Sequence, residues 1–144
     1  MGQLSFPHSA RVYIDTAPII YTIEKHVDFW PLLKPFWLSV KESKVTVVTS
    51  ELTLLETLVL PIRQNNQTLI DEYETLLTKT ELVLSPITTT VLREAAALRA
   101  TQNLKTPDAI HCATAALSGC DFLVTNDEEL RRLTNINVVV LSLV

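Results

Sequence analysis

The chain has 144 residues, 47% hydrophobic and 19% charged, which is enough apolar material for one buried core and excludes a disordered chain. Its 12 basic and 16 acidic residues give a net charge of −4, excluding a protein that grips nucleic acid by bulk positive charge. A nuclease whose clustered acids bind metal stays open.

Residues 1–10 are expected to form a loose leader to a single domain spanning 1–144. Arg11 to Ile14 reads as a strand that ends on Asp15, and Ala17-Pro18 opens a helix to about Lys25. The spacing of Leu32, Leu33, Phe36, Trp37 and Val40 predicts a second helix, an aromatic-rich stripe read as core with a dimer face as the alternative. Val45 to Val48 is the next strand. Ser50 then caps a helix carrying Leu52, Leu55, Glu56 and Val59, which Pro61 is expected to end or kink. Residues 64–79 form an amphipathic helix, Glu81 to Leu84 a third strand, and Thr88 to Thr101 an Ala-rich helix. Thr106-Pro107-Asp108 carries a helix start, with Thr106 at the N-cap, and Gly119 ends that helix. Asp121 to Thr125 is a fourth strand, followed by a short helix from about Asp127 to Leu133, and Val138 to Leu141 is a fifth. Apolar strands alternating with helices indicate an α/β protein with a parallel sheet covered on both faces.

Cys112 and Cys120 are too few for a disulfide framework and read as reduced small hydrophobes. With no apolar stretch of membrane-spanning length and no basic start before an apolar run, a cytoplasmic protein without membrane contact is expected.

Four acids stand after strands or early in helices: Asp15, Glu56, Asp108 and Asp127. Each has a plain structural reading. Asp15 fits a helix N-cap, and Asp108 and Asp127 fit first-turn charges. Glu56 lies within an apolar helical pattern, so a buried carboxylate there needs a donor or a cation; a structural ion pair and a metal ligand are both open. Taken together, four carboxylates in one crevice would repel one another unless divalent cations neutralised them. All-oxygen ligands suit Mg²⁺ or Mn²⁺ rather than zinc.

Four segments carry a family resemblance: Tyr13-Ile14-Asp15-Thr16; Ser50 with Glu56; Thr106-Pro107-Asp108-Ala109-Ile110-His111-Cys112-Ala113-Thr114-Ala115; and Phe122-Leu123-Val124-Thr125-Asn126-Asp127. In order and spacing the chain resembles a PIN domain, the fold of VapC-type toxin ribonucleases. The resemblance implies a three-layer α/β/α sandwich with metal-binding catalytic acids at Asp15, Glu56, Asp108 and Asp127, supported by Thr125 and Asn126. It also implies an Mg²⁺- or Mn²⁺-dependent endonuclease acting on RNA, a small cognate antitoxin as partner of a type II toxin, and a homodimer. Thr16 and Ala17 stand where the family often has Ser or Asn.

For His111 a packed or surface histidine is preferred over a nucleophile or general base. Arg93, Arg99, Lys105 and Lys25 are candidates for holding RNA phosphates, with ordinary solvated charge as the competing reading, and Arg131 and Arg132 are equally ambiguous. A phosphatase that forms a phospho-aspartate would want an acid at Ala17, and a receiver domain an acidic pair and a lysine not evident here. The remaining alternative is a catalytically inactive PIN-like module that binds RNA or protein.

Overall fold

The computed structural model describes residues 4–144. Five strands form one parallel sheet: β1 (Arg11–Ile14), β2 (Thr46–Ser50), β3 (Val83–Ser85), β4 (Phe122–Thr125) and β5 (Asn137–Val140), in the order β3-β2-β1-β4-β5. β1 is central, with Tyr13 opposite Val48 on one side and Leu123 on the other. The chain order reverses at β1, so the crevice beyond its carboxyl end is where an open α/β sheet places a ligand.

Six α-helices connect these strands among the described residues: α1 (Thr16–Ile23), α2 (Trp30–Lys41), α3 (Glu51–Arg63), α4 (Gln67–Thr78), α5 (Thr89–Gln102) and α6 (Thr106–Leu117). Strand alternation divides the core in two. Val12, Ile14, Val47 and Val124 point to one face and pack with Ile19, Leu33, Phe36, Val40, Tyr73 and Leu77 of α1, α2 and α4. Tyr13, Val48 and Leu123 point to the other and meet Val91, Ala95, Leu98, Ala109, Ile110 and Ala113 of α5 and α6. The architecture is the expected three-layer α/β/α sandwich.

Several local expectations are corrected. Residues 4–10 are not loose: Leu4 and Ala10 are buried, and Phe6 packs on Phe36 and Phe122 at ring distances of 5.7 and 4.9 Å. The remainder of that leader lies outside the described residues. α3 runs through Pro61 to Arg63, burying the proline ring. Thr106 is not the cap of α6; Lys105 holds that position without a side-chain bond. The Arg99 guanidinium explains the difference, since it donates to the Thr106 hydroxyl at 2.9 Å and to the Leu104 carbonyl at 3.1 Å. α6 does end as expected, with Gly119 at φ +67 just beyond it. The short helix after β4 is a 3-10 turn, Glu128–Arg132.

The aromatic stripe of α2 faces the core. Phe36 is buried, and Trp30 and Trp37 are half-buried, Lys25 covering Trp30 at 4.1 Å and Trp37 donating to the Thr22 hydroxyl at 2.8 Å. The exposed apolar side chains of α3 are Leu55, Val59, Leu60 and Ile62. Cys112 is buried and Cys120 half-buried, both as free thiols.

Candidate active site

Asp15 sits where β1 stops. Its backbone N–H still pairs with the Val124 carbonyl at 2.9 Å, while its side chain caps α1 by accepting from the Thr16 N–H at 2.8 Å. Its second oxygen accepts from the Thr125 hydroxyl, also at 2.8 Å. The capping role and the site role thus coexist in one carboxylate, held at both oxygens and 14% exposed.

Around it the ends of β1, β2 and β4 carry a layer of hydroxyls. Thr49 donates to the Ile14 carbonyl and pairs with Thr53, both at 2.7 Å. Ser50 caps α3 through the Leu52 N–H at 3.0 Å, which fixes the helix start and hence the direction of Glu56 in its second turn. Glu56 is satisfied by protein donors: its Oε1 accepts from the Thr16 hydroxyl at 2.7 Å and from His111 Nε2 at 2.8 Å. The His111 hydrogen bond holds the Glu56 carboxyl below the usual glutamate range, outweighing the opposing effect of burial.

His111 is therefore packed rather than at the surface, with both ring nitrogens bonded. It is 2% exposed, and its Nε2 also lies 3.5 Å from Asp15 Oδ1 while its Nδ1 meets the Tyr13 hydroxyl at 2.5 Å. Burial opposes its charged form, but the Glu56 bond and the charges of Asp15, Glu56 and Asp108 prevail and raise its pKa. Two sequence signals point to this arrangement. Tyr13 and Asp15 share strand parity and so a face, and His111 follows Asp108 by one turn of the helix that covers that face.

Asp108 stands half-buried in the first turn of α6. Its carboxyl is pushed up by burial first and then by the negative charges of Asp15 and Asp127, with His111 and Lys105 opposing. The three aspartates therefore share one field. Asp127 caps the 3-10 turn through the Glu129 N–H at 2.9 Å, and its own N–H donates to Thr125 at 3.1 Å. Asn126 turns aside from the acids, donating to the Tyr21 hydroxyl at 3.1 Å and accepting from the Ser142 N–H at 3.0 Å. It fastens α1 and the carboxyl-terminal segment to the end of β4. The Cys112 thiol, pushed up to about 12 by burial and by the same three aspartates, is protonated and unreactive.

Among the phosphate candidates, Arg99 is committed to the α5–α6 loop and Lys25 to Trp30, whereas Arg93 and Lys105 are exposed. Of these, Lys105 lies close enough to the acids to act on Asp108.

The donor set is all oxygen apart from His111, and the mutual repulsion registered at Asp108 is what a divalent cation would relieve. Among the described residues no three His, Cys, Asp or Glu side chains are drawn together as a ready ligand set. The fit to a metal is thus one of donor chemistry and charge.

A parallel sheet with hydroxyl-braced carboxylates at the ends of β1 and β4 defines an α/β protein with acids gathered at its topological switch. Residues 12–136 match the PIN domain, and the chain belongs to that family. In fold it is similar to VapBC2 from Rickettsia felis, solved bound to a DNA fragment from the promoter (TM-score 0.71, 18% identity, 90% of this chain and 97% of that one). It is also similar to a toxin–antitoxin complex from Klebsiella pneumoniae (TM-score 0.62, 21% identity, 89% and 95% covered). VapBC-5 of Mycobacterium tuberculosis, a toxin–antitoxin system of the VapBC family, aligns at TM-score 0.57 and 16% identity over 91% and 98% of the two chains. No curated protein is matched in sequence.

Proposed function

We propose that this chain is an Mg²⁺- or Mn²⁺-dependent endoribonuclease, the toxin of a type II toxin–antitoxin pair. The observation that carries the reading is the gathering of Asp15 and Asp127 on the Thr125 hydroxyl at the ends of β1 and β4, with Asp108 in the first turn of α6 within reach of both charges. Membership of the PIN family supports it, as does the likeness in fold to VapBC proteins. Asp15, Asp108 and Asp127 would hold the ion, with Glu56 joining through its Oε2, the oxygen that takes no donor among the described residues. A divalent ion supplies Lewis-acid activation of water and charge neutralisation at the phosphate.

The chain's own contribution is rigidity. Asp15 is held at both oxygens by Thr16 and Thr125, and the hydroxyl layer of Thr49 and Thr53 locks the strand ends beneath it. Carboxylates fixed in this way do not have to be ordered when substrate arrives. Lys105, which acts on Asp108, and the exposed Arg131 and Arg132, which follow Asp127, are cations offered to flanking phosphates. The partners under this reading are RNA as substrate, a small cognate antitoxin and a second copy of the chain. The exposed stripe of Leu55, Val59 and Ile62 on α3 supports the dimer better than the aromatic residues of α2, which face the core.

Purified protein should cut RNA internally with Mg²⁺ or Mn²⁺, and lose this activity with a chelator or in Asp15→Asn. Full activity in folded Asp15→Asn would overturn the assignment. One observation favours the inactive RNA- or protein-binding module: Glu56 is already satisfied by His111 and Thr16. An Mn²⁺ titration separates the two, since such a module binds the ion poorly or without turnover.

A further inference from the structure

Every polar atom of the His111 ring is used, and the side chains that use it lie on different elements. Tyr13 comes from β1, His111 from α6, Thr16 from α1 and Glu56 from α3. Tyr13 is 0% exposed and sits in the middle of the sheet, where a phenol is a costly way to fill space unless its hydroxyl has a partner. That partner is Nδ1 of His111. A phenol hydroxyl carries a proton that it can donate to such a nitrogen.

The directions of these bonds follow from the groups themselves. A carboxylate only accepts, so Nε2 of His111 carries the proton directed at Glu56. In the neutral ring Nδ1 is then the bare nitrogen and accepts from Tyr13. The phenol thereby selects the ring's tautomer, and the tautomer fixes which atom Glu56 receives. Both donors to Glu56, His111 and Thr16, reach the same oxygen, Oε1.

We propose that Tyr13 and His111 are a buried positioning pair for Glu56: the phenol sets the imidazole tautomer, and the imidazole pins Oε1 so that Oε2 is presented to the divalent cation. Neither residue is a catalytic residue in this assignment. The pair acts through Glu56, and Thr16 is the second pin. The inference rests on the metal reading of the site, and its tests have readouts other than activity.

The first test is ¹⁵N NMR of the imidazole in the metal-free protein, at a pH where the ring is neutral. The expected spectrum shows His111 as the Nε2–H form in the unaltered chain and as a mixture of both forms in Tyr13→Phe. A ring that is Nδ1–H in the unaltered chain, or unchanged in Tyr13→Phe, overturns the proposal.

The second test is Mn²⁺ titration of the unaltered chain, Tyr13→Phe, His111→Leu and His111→Gln, with thermal unfolding of each as a check on folding. Losing an outer partner of a metal ligand typically weakens metal binding by about 10- to 100-fold. Tyr13→Phe is expected near the lower end and His111→Leu near the upper. His111→Gln should recover part of the loss, because its amide N–H can reach Glu56. Equal Mn²⁺ affinity in all four chains overturns the positioning role while leaving the metal reading intact. If the unaltered chain binds no Mn²⁺, or binds it as well in Asp15→Asn, both fall together. Should a variant fail to fold, the imidazole spectrum of the unaltered chain still decides the tautomer.

Discussion

The Thr125 hydroxyl donates to Asp15 Oδ2 at 2.8 Å, joining the ends of two neighbouring parallel strands across 110 residues of sequence. The same oxygen accepts from the Asp127 N–H, so one hydroxyl braces two of the acids. Thr125 is fully buried, and only a side chain with a proton to give and a lone pair to offer can serve both neighbours.

Thr125→Val keeps the shape and removes both bonds. It leaves a buried carboxylate oxygen and a backbone N–H short of a partner, at a cost of about 1–3 kcal/mol. Urea denaturation should show that loss, and Mn²⁺ binding should weaken with it. Thr125→Ser restores a hydroxyl and should recover most of both. Equal stability in the Val variant would mean that the brace carries no weight.

The amino-terminal segment yields a second prediction. Phe6 is half-buried between Phe36 and Phe122 on the α1–α2 side of the core, and Leu4 in the same cluster is 4% exposed. Phe6→Ala removes an aromatic from a packed but partly open site, so a cost of about 1–3 kcal/mol is expected, below the range for a fully buried ring. A shift in urea midpoint at constant slope measures it. No shift would return residues 4–10 to the status of a leader.

That segment also marks the limit of what the sequence carries. The strands and helices were legible because β-branched runs and helical spacings repeat at fixed periods, and Asp15, Asp108 and Asp127 were legible because they stand at element ends. Leu4 and Phe6 have no periodicity to announce them; they are fixed by long-range packing. The tie from Arg99 to Thr106 displaced a cap that local rules assign to the threonine. His111 is packed, one of the two readings the sequence favours, but its hydrogen bonds are not legible there. Its partners Tyr13, Thr16 and Glu56 are distant in sequence, and only the fold reveals that one ring serves all of them.

The Glu56–His111 pair predicts a pH dependence in the metal-free chain. Glu56 is held below its ordinary 4.5, so its share of stability is present above 4.5 and lost as pH falls through the lower folded value. His111 is held above its ordinary 6.5, so its share is complete below 6.5 and lost as pH rises through the higher folded value. The pair contributes most between those two ordinary values. Unfolding free energy measured with chelator present should therefore decline as pH rises above 6.5. His111→Gln should flatten that decline, and an unchanged slope in the variant would assign it to other groups.

The last prediction concerns Asp108, whose carboxyl is raised by burial and by Asp15 and Asp127. A carboxyl shifted upward works against the fold when charged. Its cost is present above the folded value and disappears below its ordinary 3.8. At neutral pH, Asp108→Asn removes that charge at little change in shape, so the metal-free variant should be more stable than the unaltered chain. The group is half-exposed and screened by solvent, so the rise in Tm should be small, about 1–3 °C. Added Mn²⁺ should reverse the order. The unaltered chain gains stability by mass action as the ion binds its native state, and the variant, lacking a ligand, gains little. Thermal unfolding of both proteins with chelator and with excess Mn²⁺ checks this crossing. A variant less stable than the unaltered chain without metal would mean that the three aspartates do not share a field. Parallel gains with metal would mean that Asp108 does not face the ion. A crossing would show a site kept at the expense of stability, its acids held close for a cation that relieves them.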